Sequence, residues 1–251
     1  MPRRISTRCV PLSIVLVIPL AWRMATCLYY DGNRMLYLAV LALVVFPSWA
    51  QTARPVTKTL PKEDTRKVLV VFGDSLSAGY GLRPGQSFPD DLQKKLDAQN
   101  YAWRVVNLGI SGDTTQGGLA RINTAISAKP SLVVLELGGN DGLRGLPLAM
   151  TRANLDQMIV AFKSAGARVV LAGMTLPPNY GPDYIHGFEN IYKGLAAKHK
   201  LTLIPFLMED ILTRDLRYIQ PDGIHPTAEG AEIISGTVLR AIKPLLGAAK
   251  N

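Results

Sequence analysis

A serine hydroxyl becomes a useful nucleophile only when a positioned base removes its proton. Acyl transfer also needs a group to orient that base and N–H donors for the developing oxyanion. Four short clusters in this chain carry residues of those types: Gly73-Asp74-Ser75-Leu76, Ile110-Ser111-Gly112-Asp113, Gly138-Gly139-Asn140-Asp141 and Asp222-Gly223-Ile224-His225-Pro226. Singly, each reads equally well as ordinary structure. Gly-Asp-Ser, Ser-Gly-Asp and Gly-Asn-Asp are common turn formers, and Asp222 alone reads as the cap of a turn that leaves His225 on the surface. Together they supply Ser75 as nucleophile, His225 as base and Asp222 as its orienting carboxylate, with the Ser75 N–H, the Gly112 N–H and the Asn140 amide as oxyanion donors. The chemistry they imply is hydrolysis of an acyl group.

The chain has three histidines, which narrows the choice of base. His199 stands between Lys198 and Lys200 at a helix end, where a cation suits the dipole, and reads as structural. His186 begins a helix beside a proline-rich loop and reads as solvated. His225 remains, three residues after Asp222 in a tight passage. Asp74, Asp113 and Asp141 are expected to tie their loops together by hydrogen bonds, and no metal site or cofactor is expected. The segment Gly142-Leu143-Arg144-Gly145-Leu146-Pro147 leaves the Asn140 cluster with Leu143 and Leu146 as apolar surface for a fatty chain, unless those leucines simply fill the core.

These clusters must be held by a scaffold, and the pattern around them alternates. Apolar strand-like runs at 67–72, 103–107, 132–137, 169–173 and 201–205 are separated by amphipathic stretches. Helices are expected over 90–99, 115–128, 151–165 with Thr151 as N-cap, 184–199, and 228–243 with Pro244 as the stop. The run 132–137 is apolar except for Glu136, as in a strand covered on both faces. Five alternations with short connections predict an α/β fold, a three-layer sandwich around a five-stranded parallel sheet. Open sheets of this kind bind ligands outside the carboxyl ends of their strands, where Ser75 falls. The rigid passage Pro177–Pro182 is expected at the rim of the site.

The first fifty residues read as a segment outside the fold. Two short apolar runs, 9–22 and 35–46, are flanked by arginines and end in Pro47-Ser48-Trp49-Ala50, a secretory signal with cleavage after Ala50. An uncleaved anchor is the alternative, and Met24 or Met35 could be the true start. Residues 51–66 read as an exposed lead-in and 67–251 as one domain. Cys9 and Cys27, the only cysteines, leave with the signal, so the mature chain has no disulfide and no thiolate ligand. The net charge of +9 falls to +5, since five basic residues and one acidic one lie in the first fifty. No run of like charge concentrates that excess, which argues against a nucleic-acid partner and leaves room for transient contact with anionic lipid.

The strings Gly-Asp-Ser-Leu-Ser-Ala-Gly-Tyr from Gly73, Ile-Ser-Gly-Asp-Thr from Ile110, Glu-Leu-Gly-Gly-Asn-Asp-Gly-Leu-Arg-Gly from Glu136 and Asp-Gly-Ile-His-Pro from Asp222 resemble the four blocks of the GDSL, or SGNH, hydrolase superfamily. The resemblance spans about residues 67–246 and is nearest to the bacterial periplasmic thioesterase, lysophospholipase and arylesterase branch. It implies a flavodoxin-like parallel sheet, a Ser75/Asp222/His225 triad, and an oxyanion hole from Ser75, Gly112 and Asn140. It further implies a periplasmic or secreted serine esterase acting on aryl esters, acyl-CoA thioesters and lysophospholipids. Two other readings stay open. A carbohydrate O-deacetylase of the same superfamily fits the blocks, though the Leu/Ile-rich composition and the absence of an aromatic sugar platform near the motifs weigh modestly against it. A non-enzymatic anion or nucleotide binder would use the first strand and loop as a cradle, but the glycine-rich phosphate motifs are missing there.

Overall fold

A computed structural model describes residues 64–249. Within it five strands, β1 (Lys67–Gly73), β2 (Trp103–Asn107), β3 (Leu132–Glu136), β4 (Arg168–Ala172) and β5 (Thr202–Ile204), form one sheet in the order β2-β1-β3-β4-β5. Every pairing is parallel. Helices α1 (Ser75–Ala78), α2 (Phe88–Ala98), α3 (Thr115–Ala120), α4 (Ile122–Ser127), α5 (Gly139–Leu143), α6 (Leu148–Ser164), α7 (Pro182–His199), α8 (Glu209–Leu212) and α9 (Ala228–Leu246) connect and cover the strands. The signal and anchor readings fall on residues outside the described part.

Alternation along the central strands divides the core in two. Leu69 and Val71 of β1 join Val134 of β3 and Val170 of β4 on one face, packed with Leu92 and Leu96 of α2 and Ile234 and Val238 of α9. Val70, Phe72, Val133, Leu135 and Leu171 face the other way, toward Met158, Ile159 and Phe162 of α6 and Phe188 and Tyr192 of α7. Burial on both faces explains why β1 and β3 are near-continuous apolar runs.

Three expected helix boundaries need correction. The stretch 115–128 is not one helix but two, because Arg121 leaves helical geometry at φ −106°, ψ 10°. Its guanidinium is drawn inward, to the Asp113 carboxylate at 2.6 Å and to the carbonyls of Leu108 and Gly73 at 2.8 and 2.9 Å. Helix α6 starts at Leu148 behind Pro147, so Thr151 is not its N-cap; Thr151 is buried and its hydroxyl reaches Asp141 at 3.4 Å. Helix α9 runs through Pro244 to Leu246, because the carbonyls of its last turn are satisfied from elsewhere: Trp103 Nε1 donates to Leu246 at 3.0 Å and Arg168 donates to Leu245. A proline in a final turn costs only one backbone bond of its own helix.

Candidate active site

The register of the two central strands decides where the chemistry gathers. Gly73, the last residue of β1, lies opposite Glu136, the last residue of β3. The turns carrying Ser75 and Asn140 therefore leave the sheet side by side at its carboxyl edge, where the strand order reverses. Asp74 caps α1 by accepting the Leu76 N–H at 3.1 Å, and its other carboxylate oxygen accepts the Asn140 amide at 3.2 Å. That amide also donates to the Asp113 carbonyl at 3.0 Å, which joins the third cluster to the first two. The Asp113 carboxylate is held by Arg121, and Asp141 accepts from the Thr115 N–H at 2.8 Å and the Thr115 hydroxyl at 2.5 Å.

Gly73 admits no side chain, since a Cβ there would overlap Glu136 Oε2 and the Ser77 hydroxyl. At Gly112 the constraint is conformational: φ is +79°, and a Cβ there would meet only Arg144 Nη2, in ordinary contact at 3.8 Å. Arg144 fixes this turn by donating to the Gly112 carbonyl at 2.9 Å.

The fourth cluster comes from the opposite end of the chain. An antiparallel bridge between Ile219 and Pro226 closes the loop that bears Asp222 and His225. Gln220 braces it, its side-chain amide donating to the carbonyls of Tyr80 and Pro226 at 2.7 and 2.8 Å. His225 Nε2 lies 2.8 Å from Ser75 Oγ, and His225 Nδ1 lies 2.7 Å from Asp222 Oδ2. The other Asp222 oxygen accepts the N–H groups of Ile224 and His225 at 2.9 and 3.0 Å. Partial burial opposes the Asp222 charge, but these two N–H groups and the imidazole outweigh it and hold the carboxyl down at about 2. Tyr80 packs on the imidazole with ring centroids 4.5 Å apart.

Beneath Ser75 lies a pair of buried acids. Glu136 is fully buried; Oε2 accepts the Asp74 N–H at 3.2 Å and the Ser77 hydroxyl at 2.5 Å, while Oε1 is without a partner. Burial, reinforced by the charge of Asp74, pushes Glu136 well above the ordinary carboxylate range. Burial likewise raises Asp74 to about 6, against the opposing pull of the Leu76 N–H and the Asn140 amide.

Ser75, Gly112, Asn140 and His225 open onto one cavity of about 590 Å³, with Asp222 behind the imidazole. Its walls are mainly apolar: Met174, Leu176 and Pro177 follow β4, Phe206, Met208 and Leu212 follow β5, and Leu143 of α5 completes the lining. Leu146 is not among the lining residues; its carbonyl accepts the Tyr184 hydroxyl at 2.8 Å. Of the proline-rich passage, Pro177 and Pro178 reach the cavity. His186 is exposed and away from it, and His199 is paired with Asp156 of α6 at 2.5 Å. Sequence reasoning missed the roles of Glu136, Ser77, Arg121 and Gln220. Only Glu136 carried a signal, as the one acid in a strand with both faces covered.

The family model described as GDSL-like lipase/acylhydrolase matches residues 71–233. Esterase TesA of Pseudomonas aeruginosa is 44% identical over 188 residues, 74% of this chain and 93% of that protein. Thioesterase 1/protease 1/lysophospholipase L1 of Escherichia coli is 38% identical over 179 residues, 71% of this chain and 84% of that protein. Among solved structures, the psychrotrophic esterase EstA from Pseudoalteromonas, inhibited by monoethylphosphonate, matches with a TM-score of 0.68 at 32% identity, over 72% of this chain and 100% of that one. This chain belongs to the GDSL-like lipase/acylhydrolase family and is a hydrolase.

Proposed function

We propose that the protein is an exported serine esterase that cleaves acyl esters and thioesters, lysophospholipids among them, through an acyl-enzyme on Ser75. The observation that carries this reading is the unbroken chain Ser75–His225–Asp222, with contacts of 2.8 and 2.7 Å, at an apolar cavity of about 590 Å³. Ser75 Oγ attacks the acyl carbon while His225 Nε2 takes its proton. Asp222, charged across the working pH range, fixes the imidazole tautomer and stabilises the imidazolium. The N–H groups of Ser75 and Gly112 and the Asn140 amide receive the oxyanion; Asp74 and the Asp113 carbonyl engage both hydrogens of that amide beforehand, and one of these bonds gives way to the oxyanion. His225 then protonates the leaving alkoxide or thiolate, and water, activated by the same imidazole, releases the acid.

Leu143 is the side chain of the Gly142–Pro147 segment placed to touch an acyl chain, and Leu146 would act on it only through the segment's position. The names of the relatives support ester and thioester substrates. Export rests on the apolar, arginine-flanked start and the small residues at Ser48 and Ala50. A phosphonate ester probe tests the reading. The peptide containing Ser75 should gain the phosphonyl mass as p-nitrophenyl ester hydrolysis falls to zero, and Ser75→Ala should not be labelled. Full inhibition with the label on another residue would refute the assignment.

A further inference from the structure

Among the described residues seven large apolar side chains are exposed, and three of them line the cavity. Tyr80, Leu212 and Ile224 line it, and Ile110 is the neighbour of lining residue Ser111. Leu216, 72% exposed, stands on the same segment as Leu212. Every residue from Leu212 to Arg217 (Leu-Thr-Arg-Asp-Leu-Arg) is exposed, so this stretch is a protruding knuckle. Its cations are set beside its leucines. Among the described residues no carboxylate lies within ion-pair distance of Arg214, and Arg217 has only Asp215 at 3.5 Å, with its guanidinium over the Tyr218 ring at 4.9 Å. Both arginines also line a second open cleft with Lys95 and Arg240, although Glu229 and Glu232 share that cleft and Asp210 pairs with Arg240.

We infer that this knuckle and the apolar rim form a docking surface for an anionic phospholipid membrane. Leu216 and Leu212 enter the interfacial layer while Arg214 and Arg217 meet lipid phosphates, and the cavity mouth is presented to the acyl chains. Clustered apolar groups at a cavity mouth, flanked by arginines, match the chemistry of a surface that is apolar inside and anionic outside. A free soluble ester requires neither the exposed leucines nor the arginines. The orientation toward acyl chains rests on the esterase reading, but docking itself is read without turnover.

The test is co-sedimentation of the purified protein with phosphatidylglycerol or phosphatidylcholine vesicles, alongside hydrolysis of soluble p-nitrophenyl acetate. The protein should bind phosphatidylglycerol vesicles preferentially and release them at about 1 M salt, where the screening length is ~3 Å. Arg214→Ser/Arg217→Ser should weaken that binding by roughly 25-fold, about five-fold per cation. Leu216→Asp should abolish it, while turnover of p-nitrophenyl acetate stays at the parent level in every variant. Equal binding to both vesicle types, or unchanged binding in the variants, overturns the proposal. A concentration-dependent dimer that Leu216→Asp dissociates, without vesicle binding, would assign the face to a second copy of this chain instead. Failed hydrolysis in all forms with intact vesicle binding would refute the esterase reading and leave the docking surface standing.

Discussion

The two halves of the site are built in opposite ways. Ser75 and Asn140 emerge from the central strands above a packed polar layer in which Asp74, Ser77, Glu136, Asp141 and Thr115 are all buried. Asp222 and His225 sit on a surface loop, where the Asp222 side chain is 36% exposed and Ile224 is open to solvent. The first half is over-determined: Asp74 alone joins the α1 cap, the Asn140 amide and, through its own N–H, Glu136. The loop is held by one bridge, the Gln220 side chain and the Asp222 contacts to its own backbone. The division follows the chemistry. Donors for developing charge work best when fixed in a dry setting before the reaction begins. The carboxylate that orients the imidazole stands nearer solvent, while the His225 side chain itself is only 15% exposed.

Both halves must act together for turnover, which sets the largest expected effect. Ser75→Ala and His225→Ala should each lower kcat by about 10⁴- to 10⁶-fold on a p-nitrophenyl ester, and the double variant should be scarcely slower than either. Independent, multiplying losses would mean that the two halves do not form one unit. Within the buried half, Asn140→Ala should cost about 100- to 1000-fold in kcat with KM little changed, because its donor binds charge that exists only in the transition state. A rise in KM at constant kcat would make Asn140 a ground-state contact and dissolve the contrast.

The smallest effect is a pH signature in stability. Burial raises both Glu136 and Asp74, so from about pH 4, the unfolded carboxylate range, up to their folded values the native state holds more protons than the unfolded one. Stability must therefore fall as pH rises through this interval, the reverse of a salt-bridged carboxylate such as Asp222, which stabilises above about 4 and loses that contribution as pH falls toward 2. Glu136→Gln keeps an oxygen to accept from the Asp74 N–H and the Ser77 hydroxyl while removing one buried acid. Its melting temperature should decline less than the parent's between pH 5 and pH 8, by on the order of a few degrees. Parallel declines in the two proteins would show that Glu136 is not the source.

The sheet and its motifs were legible because local pattern and tertiary setting agree there. Strands β1 and β3 are buried on both faces and read as apolar runs, and the polar clusters that end them are carbonyl-side turns. Helix ends were less legible where the capping partner is remote. Nothing near Leu246 announces that Trp103, distant in sequence, donates to its carbonyl, and nothing near Arg121 announces that it turns inward to Asp113 and Gly73. Spacing brought Asp222 and His225 together in the reading, since three residues and a turn suffice. Leu143 and Leu146 looked equivalent, yet the first ends α5 on the cavity wall and the second, beyond the turn after α5, is not in the lining.

The contact between Ser75 and His225 spans 150 positions of the chain. Among the described residues Ser75 follows directly on the first strand, whereas His225 arrives just ahead of α9, the last helix. A polypeptide released from the ribosome or threaded through a membrane from its N-terminus thus carries an inert serine for most of its journey. The imidazole can meet the hydroxyl only once the loop just ahead of α9 has been made. On the proposed mechanism hydrolytic power comes only with the end of the chain, and a chain truncated before Asp222 would hold the residues of all five strands yet lack the base.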